Sequence, residues 1–458
     1  MKDLTRGSIV GHILTMAPPI VAGMITIMIC QLVDLYFVAS AGEAAVAGVA
    51  AAGNVGFLIN GLMQVLGVGT VALMAHAVGR KDRADANLIF NQSIVLSVLC
   101  GLLTMVAGSV VARYYMRAVA ADEATVEAGT TYLLWLMPAL ALQFVTQVMG
   151  GGLRATGIVR PTMLVQVFAV ILNIALAPVL IAGWGTGHAL GVAGAGLASS
   201  IAVFTAVLML FAYFQRFARY VGFEPAQWRP QFEQWKRIVG VGLPAGGEFA
   251  IIFIWVGVIY YVLRDFGAAA QAGFGIGMRV LGLIQMPALA VALAAAPIVG
   301  QNFGAGNGER VRETFVKALS IATVVMIGFT ILAQWKSDLL LAGFSEDQQA
   351  MAVAAQFLHF VTLNLVVQGV TFVCHSTFQG LGNTKPVLLS SGSRLLFYAV
   401  PAIWLSTRPG FAIEQVWYLS IATTTLQAGL ALWLLRREFS KRLAPLQRKV
   451  SPEPMAAE

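Results

Sequence analysis

The chain of 458 residues is 58% hydrophobic and only 11% charged, with a mean hydropathy of +0.79 and a net charge of +8. A soluble globular chain carries about 25% charged residues. The composition therefore excludes a soluble enzyme or binding module and indicates an all-α polytopic membrane protein. The three cysteines, Cys30, Cys100 and Cys374, lie far apart in apolar runs. They show neither metal-ligand spacing nor a disulfide framework, and read as small buried hydrophobes.

Lys2 and Arg6 precede an apolar run, as in a secretory leader. The run continues past the length of a leader's apolar core and lacks a cleavage pattern, so it reads as a retained first membrane helix. Runs of roughly 20 apolar residues suffice to span a bilayer. They predict twelve spans: 9–39, 45–76, 88–112, 125–150, 161–183, 190–215, 238–263, 268–300, 314–335, 351–379, 386–406 and 412–435. The sixth opens GVAGAGLASS, a small-residue stretch suited to close helix packing.

Loop charges orient these spans. One side would hold Lys2 and Arg6; Arg80, Lys81 and Arg83; Arg154 and Arg160; Arg216, Arg219, Arg229, Lys236 and Arg237; Arg310, Arg312 and Lys317; Lys385; and Arg436, Arg437, Lys441, Arg442, Arg448 and Lys449. The other side would hold only Arg113, Arg117, Arg264, Lys336 and Arg408. That 22-to-5 bias predicts twelve helices with both termini cytoplasmic. The basic excess is then topological and implies no nucleic-acid partner.

The chain also repeats itself. An offset of 225 residues lays Pro19 on Pro244, Gly42 on Gly267, Gly48 on Gly273 and Gly79 on Gly304. It further lays RATGIVRP (154–161) on QGLGNTKP (379–386), matching Gly157 to Gly382 and Pro161 to Pro386. The expectation is two parallel, pseudo-symmetric six-helix bundles, 1–215 and 238–435, with a cytoplasmic linker 216–237 and a basic cytoplasmic tail 436–458. Parallel repeats of this kind place a substrate site between the halves and work by rocking.

Of the 21 acidic residues, only Asp34 and Glu248 fall well inside predicted spans. An ionisable group within a membrane marks a functional site by default. The plainer reading is a structural ion pair, and Arg279 on the following span is available to Glu248. The functional reading is proton or cation coupling, because protonation of a carboxyl tracks its burial and its neighbours. At the 225 offset Asp34 meets Ile259 and Glu248 meets Gly23, so neither acid is needed by the shared scaffold. Gln31 lies one turn before Asp34, and the Pro18-Pro19 pair earlier in the same span is a candidate hinge. In the fifth span, Gln166 and Asn173 share a face. In the tenth, Asn364, Gln368, His375 and Gln379 form a polar stripe, which suits a cavity wall or interhelical hydrogen bonds. Tyr36, Gln64, Trp255 and Arg279 complete the candidate cavity residues. Met24, Met28, Met63 and Met74 suit either a plastic cavity wall or ordinary packing. No Walker A sequence, catalytic triad motif, HExxH or metal cluster is present, so no enzyme is expected.

These features resemble the bacterial multidrug and toxic compound extrusion (MATE) transporters. The likeness rests on QLVDLYFV followed by AGEAAVAGVA near the start, and on RATGIVRPTMLVQVFAVILNIALAPVLI with GVAGAGLAS in the fifth and sixth spans. In the second half it rests on GFGIGMRVLGLIQMPALAVALAAAPIVGQNFGAGN. It runs from about Ile13 to Leu434. The resemblance implies export of amphipathic, often cationic compounds in exchange for protons or sodium, with no cofactor. It makes Asp34 the coupling acid and Asn173 its partner, where sodium is an option. Many members carry an acid four residues after that asparagine, but this chain has Ala177, which favours the proton. Glu248 matches only partly, since some members carry this acid where Ile252 stands.

The expected protein is therefore a monomeric antiporter of the bacterial inner membrane, working by alternating access on small amphipathic substrates amid membrane lipid. The alternative is a flippase for a lipid-linked precursor, whose pyrophosphate would call for Arg279 and Arg394 in the cavity.

Overall fold

The computed structural model describes residues 2–217, 220–335, 340–341 and 347–443. Arg219, Lys336, Arg448 and Lys449, with the tail beyond Leu443, lie outside the described residues. The helices are α1 (Ile9–Ala39), α2 (Glu43–Gly79), α3 (Arg83–Val119), α4 (Glu123–Ala155), α5 (Arg160–Ile181), α6 (Val192–Arg216), α7 (Phe232–Leu263), α8 (Ala268–Gly304), α9 (Gly308–Trp335), α10 (Gln348–Thr362), α11 (Leu365–Gly380), α12 (Lys385–Ser406) and α13 (Ile413–Arg442). Among the described residues eleven are long and apolar enough to cross a membrane, and twelve when the bent pair α10 and α11 is counted as one span. The chain is all-helical among the described residues.

The 225-residue offset is visible in the helix bounds. Glu43–Gly79 maps onto Ala268–Gly304, Arg160–Ile181 onto Lys385–Ser406, and Glu123–Ala155 onto the whole of α10 plus α11. The matched glycines explain why. Gly42 and Gly267 precede α2 and α8 with φ of 105° and 89°, and Gly157 and Gly382 turn at 75° and 70°. An L side chain rarely adopts that region. Gly48 and Gly273 serve packing instead. A methyl at Gly48 would meet Gly129 N at 2.7 Å and Thr125 O at 3.1 Å, and one at Gly273 would collide with Ala350 O. Thr125 and Ala350 are themselves 225 apart, so the same helix crossing is built twice.

The tenth span, expected as one helix, is bent by 61° between α10 and α11. Its counterpart α4 carries Pro138 inside the helix and is continuous, whereas the break falls at Leu363, the residue equivalent to that proline. The freed backbone finds side-chain partners. Thr330 Oγ1 donates to Thr362 O (3.1 Å) and Gln334 Nε2 to His359 O (2.7 Å), while Asn364, at the break, donates its own Nδ2 to Ile421 O on α13 (3.1 Å). Irregular backbone at membrane depth survives only where such partners or a cavity exist.

Two compact units divide the chain, one holding Met1–Asp3 with Pro19–Gly246, the other Leu4–Pro18 with Gly247–Glu458. The division in α1 thus falls between Pro18 and Pro19, although the helix is continuous there. In the first unit, the segment ahead of α7 is strapped to α3. Asn91 Nδ2 donates to Gly222 O (2.9 Å), Gln92 Nε2 to Arg229 O (2.8 Å), and Gln92 Oε1 accepts from Gln231 N (2.9 Å). In the second, the N-terminal segment is pinned to the end of α8. Leu4 N donates to Gln301 Oε1 (2.9 Å), and Asn302 Nδ2 donates to Leu4 O (3.1 Å).

Candidate functional site

The first unit carries Asp34, half-buried on α1. With its amide nitrogen turned to the acid, Asn173 on α5 donates to Asp34 Oδ1 at 2.8 Å. Its oxygen then accepts from Ser199 Oγ (3.1 Å) and Ser199 N (3.2 Å) on α6. Cys30, one turn before Asp34, places its thiol 3.8 Å from Oδ2. The amide thereby links Asp34 on α1 to Ser199 on α6. Ala177, one turn on, is fully buried in an apolar cluster with Val38, Ile181 and Ala195. The position where a second acid would stand is packed by hydrocarbon.

The other first-unit candidates stand apart from this group. Gln31 and Tyr36 are exposed on α1, Tyr36 with its ring edge-on to Phe37. Gln64 on α2 accepts a hydrogen bond from Gln147 on α4.

The second unit brings several predicted residues together around Glu248. Its Oε1 lies 2.9 Å from His375 Nδ1 and accepts from Ser391 Oγ at 3.1 Å. The far side of the imidazole, Nε2, meets Ser390 Oγ at 3.1 Å. Gln427 Nε2 donates onward to Ser391 Oγ (3.2 Å). Arg279, the partner expected for Glu248, is exposed on α8, and the acid pairs with His375 instead. Arg279 faces outward from α8, while α11, far along the chain, brings His375 to the acid.

Beside this cluster are two cavities of about 70 and about 230 Å³. They share Ile252, Trp255, Gln368, Phe372 and Arg394 in their walls. Glu248 and His375 line the smaller, and Asn364, at the helix break, lines the larger. Trp255, Asn364, Gln368, His375 and Glu248 therefore do converge, whereas Arg279 lines neither.

A family model described as MatE matches residues 19–179 and 244–404, more than half of the chain. The chain belongs to the MatE family. The two matches start and end 225 residues apart, at the offset of the internal repeat. Among similar proteins, a FAD transporter of Shewanella oneidensis is 22% identical over 443 residues, 95% of this chain and 96% of its own. The multidrug export protein MepA of Staphylococcus aureus is 23% identical over 430 residues, 91% and 92% of the two chains. An outward-facing MATE family transporter superposes with a TM-score of 0.89 at 24% identity, over 96% of this chain and 98% of that one. The protein is accordingly a multi-pass membrane transporter of the MATE multidrug efflux family and not an enzyme.

Sequence reasoning missed several residues around these two acids. Cys30 and Ser199 complete the Asp34 group, Ser390, Ser391 and Gln427 bond within the Glu248 group, and Tyr398 packs on Trp255. One signal was available: SSGSR at 390–394 is a polar run inside an apolar span.

Proposed function

We propose that this MatE-family transporter is a secondary active antiporter that exports amphipathic organic compounds, cationic ones above all, in exchange for protons. Asp34 is the group that takes the proton. The observation that carries this reading is the Asn173 amide. In the orientation that satisfies both groups it donates to Asp34 and accepts from Ser199, and hydrocarbon fills the neighbouring position Ala177, so the acid has a neutral amide partner and no second carboxylate there. A bound metal cation would need several oxygens, whereas a proton needs only the carboxylate. A carboxylate in this setting holds either a proton or an organic cation, and exchange of one for the other is the coupling step.

The rest of the cycle follows from the repeat: alternating access of the two halves, with Pro18-Pro19 as the hinge of α1. The charge bias of the loops supports both termini on the cytoplasmic side of a bacterial inner membrane, and the monomer suffices for transport. The flippase alternative loses support because Arg279 lies outside both cavities.

The test is efflux of ethidium from proteoliposomes driven by a pH gradient alone or by a sodium gradient alone. We expect the pH gradient to drive transport and Asp34→Asn to abolish it. Transport on sodium alone, or wild-type rates in Asp34→Asn, would overturn the reading.

A further inference from the structure

The cavities of the second unit contain a cation that the coupling site does not use. Arg394 on α12 lines both, with its guanidinium carbon 4.4 Å from the centre of the Trp255 ring. Its Nε is buried without a hydrogen-bond partner, and so is the indole Nε1 of Trp255. Among the described residues no acid forms an ion pair with Arg394. The nearby carboxylate, Glu248, already serves His375 and Ser391. One turn on from Arg394, the hydroxyl of Tyr398 is also buried without a partner, and its ring packs on Trp255 at 5.9 Å.

Buried donors without acceptors are costly, and in native proteins they are rare. Here donors outnumber acceptors: the N–H groups of Arg394 and Trp255 and the hydroxyl of Tyr398 are unmet, against one unmet amide oxygen, Gln427 Oε1, in the wall of the smaller cavity. The balance calls for a further acceptor, and beside a guanidinium the best acceptor is an anion with two oxygens. The remaining wall is apolar and partly aromatic, with Ile252, Phe372, Phe357 and Leu281. Apolar walls with a few convergent polar groups are the common form of a small-molecule site.

We propose that this cavity is a subsite for organic anions, with a carboxylate or phosphate on Arg394 and Trp255 Nε1 and a flat apolar body against the aromatic wall. The protein's ligands are then not confined to cations. As a transport subsite it rests on the exporter reading, but its binding test needs no gradient and no Asp34. Failure of one therefore leaves the other standing.

The experiment uses the purified full chain in phosphatidylcholine nanodiscs and measures binding by equilibrium dialysis. The probes are 2-naphthoate and its neutral isostere 2-naphthamide. We expect naphthoate to bind about tenfold more tightly, the worth of one charge-assisted hydrogen bond. Arg394→Gln should remove that preference while amide binding persists, and Arg394→Lys should keep part of it. Equal binding of the two probes to the wild type would overturn the proposal, whatever the stability of the variants. So would a naphthoate preference that survives in folded Arg394→Gln.

Discussion

Asn173 and Tyr398 hold the same place in the two repeats, yet one hydrogen-bonds a carboxylate and the other packs its ring on Trp255. The contrast extends to their neighbours. Cys30, which touches Asp34, is the repeat mate of Trp255, and Asp34 itself is the mate of Ile259. Glu248 stands eleven residues before Ile259, about 16 Å along a helix. Duplication therefore supplied two scaffolds, while the ionisable chemistry was placed separately in each.

The Asn173–Asp34 hydrogen bond makes the first prediction. Asn173→Leu removes the donor and leaves the carboxylate facing hydrocarbon, which favours its neutral form. Hydrogen bonds to charged groups are worth about 1.5–3 kcal/mol. Ethidium efflux driven by a pH gradient should fall by tenfold or more, with the loss mended by Asn173→Asp less well than by the wild-type amide. Unchanged efflux in Asn173→Leu would remove Asn173 from the coupling group.

Ala177 gives a second prediction. The position is sealed against Val38, Ile181 and Ala195, so Ala177→Asp places an acid where nothing can solvate it. An Asp at the centre of a membrane helix costs about 3 kcal/mol. The variant should lose thermal stability in detergent and should not acquire sodium-driven transport. A stable variant that transports on a sodium gradient would show that the missing acid alone sets the coupling ion.

The glycine crossings lead to a third. Gly48→Ala and Gly273→Ala each force a methyl into the backbone of the facing helix. Overpacking of this kind costs about 1–3 kcal/mol. Gly53, where an added methyl meets nothing within 4 Å, is the control. Both crossing variants should melt earlier than Gly53→Ala, and by similar amounts if the two crossings are equivalent.

These glycines show what a single sequence makes legible. A positive φ or a backbone crossing admits one residue type, so the constraint is written at one position and repeats at the offset. The break at Leu363 is not written that way. Its proline-bearing counterpart, α4, stays continuous, while the donors that stabilise the break, Thr330 and Gln334, come from α9. The Glu248–His375 pair was hidden for a related reason. Each residue was visible as a polar group in a span, but their meeting depends on how α7 and α11 pack, and adjacency in sequence pointed to Arg279. Asp34 is legible as a carboxylate inside a span and its partner Asn173 only through family resemblance, whereas nothing in the sequence singles out Ser199 or the Cys30 thiol as neighbours of the acid.

The strap on α3 carries the last prediction. Asn91 and Gln92 are fully buried, and both spend their amides on the backbone of the segment 222–231. Gln92→Leu would leave the carbonyls of Gln227 and Arg229 and the N–H of Gln231 without their side-chain partners. Each such bond is worth about 0.5–1.5 kcal/mol, and the loss of three is enough to release the segment while the helices stay packed. Trp228, which is exposed and held to Asn91 through its indole nitrogen, is the reporter. Chymotrypsin should cleave after Trp228 at least tenfold faster in Gln92→Leu than in the wild type, at an unchanged melting temperature of the helical core. Equal cleavage rates would mean that the amide ladder does not hold the segment, and that the contacts of Phe223 with Phe90 and Phe214 anchor it instead.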